Sequence, residues 1–192
     1  MARKNRHTIV ALVEDRPGVL NKIASKWRQR GFNIDSLAVG QSETPGLSRM
    51  TFTVDASTTD VEQVVTQVDK LIDVVRIRDI THDEHLSREL AMIKLTTTPA
   101  TRGEIIQIVN VFRAEIIDVS ADTLIVEAAG DEDKIESLLE VLRPYGIREL
   151  ARTGHISMVR GAQGVTISEA EEEQFELPHY RGNRAAIGTT SY

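Results

Sequence analysis

The 192-residue chain has no cysteine, so disulfides and thiolate chemistry are excluded. Aromatic residues make up only 4% against 41% hydrophobic residues, so any packed core is built mainly of Val, Ile and Leu. Basic charge is also scarce: the net charge of −6 argues against a general nucleic-acid binder, which needs a basic face. No apolar run approaches the ~20 residues that a membrane helix requires. Arg3, Lys4 and Arg6 precede Ile9 without an apolar stretch, unlike a secretory signal. Glycine-rich phosphate loops and a Gly-x-Ser-x-Gly elbow are missing too, as is any nucleophile–base pair. These absences lead to the expectation of a soluble, cytoplasmic, non-catalytic protein with no metal and no membrane or nucleic-acid partner.

What is present is one order of elements used twice. A β-rich segment at 7–14 leads through Glu14-Asp15-Arg16-Pro17-Gly18-Val19-Leu20 into a helix predicted over 17–30, with Val19, Leu20, Ile23, Ala24 and Trp27 on one face. Strands at 32–41 and 47–55, a helix at 59–72 and a strand at 74–81 complete the first unit. The second unit reads as strand 89–98, helix 101–113, strands 114–120 and 122–129, helix 131–143 and strand 146–158. Both halves are βαββαβ, so the fold class is α+β with two ferredoxin-like domains in tandem. Domain limits of 7–82 and 83–159 follow, separated near Thr81-His82-Asp83-Glu84-His85. The stretch 160–192, with its acidic run from Glu169 to Glu176, reads as a disordered tail, partner docking being the alternative.

The turn before the first helix suggests binding. Proline at a first helical position forfeits no hydrogen bond, and the adjacent glycine leaves backbone N–H groups uncovered for a carboxylate. A tight connection alone is the plainer alternative. In this topology the second strand lies at a sheet edge. Phe32 to Gln41 carries one charge and neither proline nor lysine, so it is expected to pair with a second copy about a two-fold axis. That pairing would bring Asn33 and Ile34 of one chain toward residues 15–20 of the other, although Asn33 could simply serve a turn. His82 and His85 have a spacing that could hold a metal, but a polar linker explains them better. RNA binding through an RRM-like sheet lacks the stacking aromatics it needs.

With these features in view, the chain resembles the small regulatory subunits of acetolactate synthase, also called acetohydroxyacid synthase, over about residues 7–160. The resemblance is carried by Val13-Glu14-Asp15-Arg16-Pro17-Gly18-Val19-Leu20, Arg30-Gly31-Phe32-Asn33-Ile34-Asp35-Ser36-Leu37-Ala38-Val39-Gly40 and Leu47-Ser48-Arg49-Met50-Thr51. It continues in Arg88-Glu89-Leu90-Ala91-Met92-Ile93-Lys94, Phe112-Arg113-Ala114-Glu115-Ile116-Ile117-Asp118-Val119 and Ala151-Arg152-Thr153-Gly154. It implies an N-terminal ACT domain, a homodimer formed through it, and a C-terminal domain typical of this subunit. It also implies a separate catalytic subunit, which carries thiamine diphosphate, magnesium and FAD, with no cofactor on this chain. The subunit is expected to activate that enzyme and to confer feedback inhibition by a branched-chain amino acid, commonly valine. By resemblance the effector residues are Asp15, Gly18, Val19 and Leu20 of one chain with Asn33 and Ile34 of its mate, and Gln41, Leu47 and Arg49 are candidates for touching the catalytic subunit. The rival reading is an ACT-type amino-acid sensor that regulates another enzyme or transcription.

Overall fold

The computed structural model describes residues 6–55 and 61–167. The first unit runs β1 (Arg6–Glu14), α1 (Val19–Gln29), β2 (Ile34–Gln41), β3 (Leu47–Asp55), α2 (Val61–Asp69) and β4 (Val74–Asp79). The second runs β5 (His85–Thr96), α3 (Pro99–Val111), β6 (Glu115–Val119), β7 (Thr123–Gly130), α4 (Glu132–Leu142), β8 (Ile147–Arg152) and β9 (Ile156–Val159). The sheets are antiparallel, ordered β2-β3-β1-β4 and β6-β7-β5-β8, with β9 paired to the first residues of β5. Each unit is therefore the expected βαββαβ fold, and β2 lies at an edge. The repeat extends to irregularities: the register shifts between Ile34 and Ser36 in β2 and between Ile116 and Asp118 in β6.

Alternation along β1 separates two faces. Ile9, Ala11 and Val13 point to the helices and join Val19, Ile23 and Trp27 of α1 in the first core. Trp27 is fully buried, its ring 5.5 Å from Phe32 and 6.0 Å from Phe52. The second core is aliphatic at its centre, with Ile93, Leu95, Ile105, Leu124, Ile135 and Leu138 fully buried. Three aromatic rings thus meet under α1, while Phe112 and Tyr145 pack at the border of the second core. α3 begins at Pro99, two residues ahead of the sequence expectation, because Thr98 and Thr101 form a reciprocal capping box. The first two residues of the helix expected at 59–72 lie outside the described residues.

Two sequence expectations are corrected. The strand expected over 146–158 is two strands, because Gly154 takes φ +79° and breaks the chain between β8 and β9. Residues 160–167 do not form the start of a loose tail. Val165 is fully buried with Val10 and Ile80 on the face of the first sheet opposite its helices, and Val159 packs against them. Arg49 of β3 donates to the carbonyls of Val165 at 3.0 Å and Ser157 at 3.2 Å, and Arg76 donates to that of Thr166. The rest of the expected tail, from residue 168, lies outside the described residues.

Candidate functional site

The turn after β1 is built from backbone contacts. Asp15 donates its N–H to the carbonyl of Gly46 at 2.8 Å, and Arg16 donates its own to Glu14 at 3.0 Å. Gly18, at φ +90°, caps α1, so Pro17 stands just ahead of the cap and not at the first helical position. A left-handed conformation at the cap is open to glycine, and this is what ends the turn here. The first intrahelical bond runs from Lys22 N–H to the Gly18 carbonyl at 3.0 Å. The amides of Leu20 and Asn21 therefore have no acceptor within the helix. Asp15 to Gly18 are exposed, Leu20 is 40% exposed, and Val19 is buried, so Val19 can offer a ligand only its backbone.

An acid that the sequence reading missed anchors this turn from behind. The side chain of Asp73 is 2% exposed, and it pairs with Arg16 and with Lys22, the latter at 2.7 Å. Its backbone carbonyl also accepts from Glu14 N–H at 2.9 Å. The Lys22 ammonium, followed by Arg16, holds the Asp73 carboxyl below its ordinary value despite the opposing effect of burial. The sequence signal was a lone acid in the apolar run Leu71-Ile72-Asp73-Val74-Val75, with no cation beside it.

Asn33 and Ile34 lie elsewhere. Ile34 is opposite Val54 and Arg6 is opposite Asp55, whereas Gln41 is opposite Ser48 and Glu14 opposite Leu47. Within one chain the Asn33 end and the Asp15 end are therefore separated by the length of β1, about 27 Å at the usual strand rise. Asn33 is exposed and its Nδ2 donates to Asp35 at 3.1 Å, which leaves its carbonyl oxygen as an acceptor. Ile34 is half-buried. Among the three residues singled out for a contact with another subunit, Gln41 is exposed, Leu47 is buried, and Arg49 is occupied by the carbonyls of Ser157 and Val165. Burial lowers the tendency of Arg49 to hold its proton, with Glu43 opposing that effect.

Past Asn33 opens a cleft of about 1230 Å³ between the two units, bordered by Ile34, Asp35, Glu132, Glu136, Arg143 and Arg152. Two blocks of the second unit meet on its wall. The buried Glu89 takes both Nε (2.9 Å) and Nη2 of Arg152, whose Nη1 reaches Glu136 at 2.6 Å. Those bonds to Glu89 push the Arg152 guanidinium above its ordinary value. Among the described residues no group of three His, Cys, Asp or Glu is placed to hold a metal, and no helix is long and apolar enough to cross a membrane.

Comparison with known proteins agrees with this architecture. Residues 9–76 match the family described as AHAS small subunit-like ACT domain, and residues 88–161 match the family described as small subunit of acetolactate synthase. The probable acetolactate synthase small subunit of Archaeoglobus fulgidus is 49% identical over 156 residues, covering 81% of this chain and 98% of that protein. The acetolactate synthase small subunit of Mycolicibacterium smegmatis is 49% identical over 83% of this chain and 94% of its own length. The crystal structure of the small subunit from Thermotoga maritima superposes with a TM-score of 0.75 at 38% identity, covering 83% of this chain and 99% of that one. With its ACT domain, its second ferredoxin-like unit and this likeness over nearly the full length of its relatives, the chain belongs to the family of acetolactate synthase small subunits.

Proposed function

We propose that this chain is the non-catalytic regulatory partner of an acetolactate synthase catalytic subunit, raising its activity and making it sensitive to valine. Bond-making chemistry, with thiamine diphosphate, magnesium and FAD, belongs on the catalytic subunit, and both work in the cytoplasm. Residues 7–82 serve as the effector-binding and dimerising domain and 83–159 as the second domain.

The observation that carries this reading is the placement of β2. It stands at the edge of its sheet with its single charge at Asp35, and Asn33 and the Asp15 turn lie at opposite ends of that sheet. An antiparallel pairing of β2 with its copy about a two-fold axis sets Asn33 and Ile34 of one chain beside residues 15–20 of the other. The free amides at the start of α1 then receive the amino-acid carboxylate, Asp15 or Asn33 accepts from its ammonium, and Leu20 and Ile34 enclose a small aliphatic side chain. The effector shifts the assembly by its difference in affinity between two placements of the paired chains.

The test is Asn33→Ala, assembled with the catalytic subunit. Activation is retained and inhibition by valine is lost; a variant still fully inhibited would remove Asn33 from the site.

A further inference from the structure

β2 is held on two sides. One edge pairs with β3, and the residues at its start are gripped by the second unit. The backbone N–H of His155 donates to Ser36 Oγ at 2.8 Å. Gly154 lies so close that a Cβ there would stand 2.7 Å from Ser36 Oγ and 3.1 Å from the Leu37 carbonyl oxygen. At φ +79° this position is one that L side chains rarely adopt, so both space and conformation call for glycine. The two residues come within reach because the chain breaks between β8 and β9, strands that pair with successive stretches of β5. A displacement at residues 154–155 therefore acts directly on both last strands of the second unit.

The point gripped is also where β2 is irregular. Pairing with β3 steps from Ile34 to Ser36, leaving Asp35 out of the ladder. Bulges of this kind allow a strand to bend locally. Asp35 lies 3.9 Å from Arg6 Nε, and the same guanidinium bonds Glu132 of α4, itself 4.0 Å from His155 Nε2. His155 is only 5% exposed, whereas Ser36 and Gly154 are half-buried at the border of the cleft. The residues proposed to touch the effector, Asn33 and Ile34, immediately precede it.

We infer that Ser36, through the hydrogen bond it accepts from His155 and its contact with Gly154, is the positioning residue that passes occupancy of the effector site on to the second domain. This rests on the proposed function, since the signal begins with an effector at Asn33 and Ile34. Ser36 itself touches no effector. It fixes β2 against the turn between β8 and β9, so that β2 cannot shift alone.

The experiment uses the full chain carrying Ser36→Ala, assembled with the acetolactate synthase catalytic subunit, and valine as the probe. Valine binding is read from the thermal stabilisation of the free chain, and the response from the ratio of rates with and without valine. The half-inhibitory concentration is expected to rise about fivefold or more while the binding constant stays within about twofold, the size of a lost coupling. Unchanged inhibition overturns the inference. So does a parallel loss of binding and inhibition, which would make Ser36 a support of the pocket alone. Gly154→Ala, which forces the same joint apart, is expected to show the same split. A wild-type chain whose stability does not respond to valine would instead sink the proposed function, a distinguishable result.

Discussion

Asp15 and Gly46 are joined through their backbones, the N–H of the first donating to the carbonyl of the second at 2.8 Å. The exposed turn proposed for effector binding is thereby tied to the loop between β2 and β3. Gly46 makes this possible at φ +86°, and Leu47 N–H closes the loop on the Thr44 carbonyl at 3.1 Å. Gly46→Ala places a Cβ in a left-handed conformation and is expected to cost about 1–2 kcal/mol in chemical denaturation.

The carboxylate of Asp73 restrains the same turn from inside, through Arg16 and Lys22. Both cations are about half exposed and recover hydration when the acid is removed, which limits the penalty. Asp73→Ala is expected to lower stability by about 1–3 kcal/mol at neutral pH. Because the folded carboxyl is held below its ordinary 3.8, its contribution is complete above that pH and is lost as pH falls through the depressed value. Urea titrations at neutral and acidic pH should show wild type and variant converging at the acidic end.

Val165 fills the face of the first sheet away from the helices, fully buried against Val10 and Ile80. Val165→Ala removes two buried methyl groups and is expected to cost about 2 kcal/mol. Arg49→Ala acts on the same seam by leaving the Ser157 and Val165 carbonyls without their donor, at about 1–3 kcal/mol. Equilibrium unfolding of each variant, and of the pair together, checks both values and their coupling.

Much of the arrangement was legible in the sequence. Helical spacing of Val19, Ile23 and Trp27 located the first core, and the limits read for 47–55 coincide with β3. The βαββαβ order placed β2 at an edge, and the sheet order puts it there. What was not legible depends on partners distant in sequence. Val165 is an isolated apolar residue among Gly161, Ala162, Gln163, Gly164 and Thr166, and its burial rests on Val10 and Ile80, distant in sequence, with Val159 packed against them. The break at Gly154 fell inside a β-rich run, where its close approach to Ser36 had no local trace. Asp73 acquires its role from Arg16 and Lys22, more than fifty residues away.

Self-pairing of β2 is tested at Val39, which is 48% exposed on that edge strand. Val39→Lys adds a charged side chain to the exposed edge strand of each chain, a device by which edge strands resist association. Small-angle scattering should report the wild type as a dimer and the variant shifted toward the monomer at the same concentration.

The central claim is that paired copies build a receptor for a free branched-chain amino acid, and thermal unfolding of the intact chain in rising valine tests it most directly. Valine at ~100-fold above its binding constant is expected to add ~2.7 kcal/mol to the stability of the folded dimer. An unfolding transition that does not move at any concentration of valine, leucine or isoleucine would contradict it.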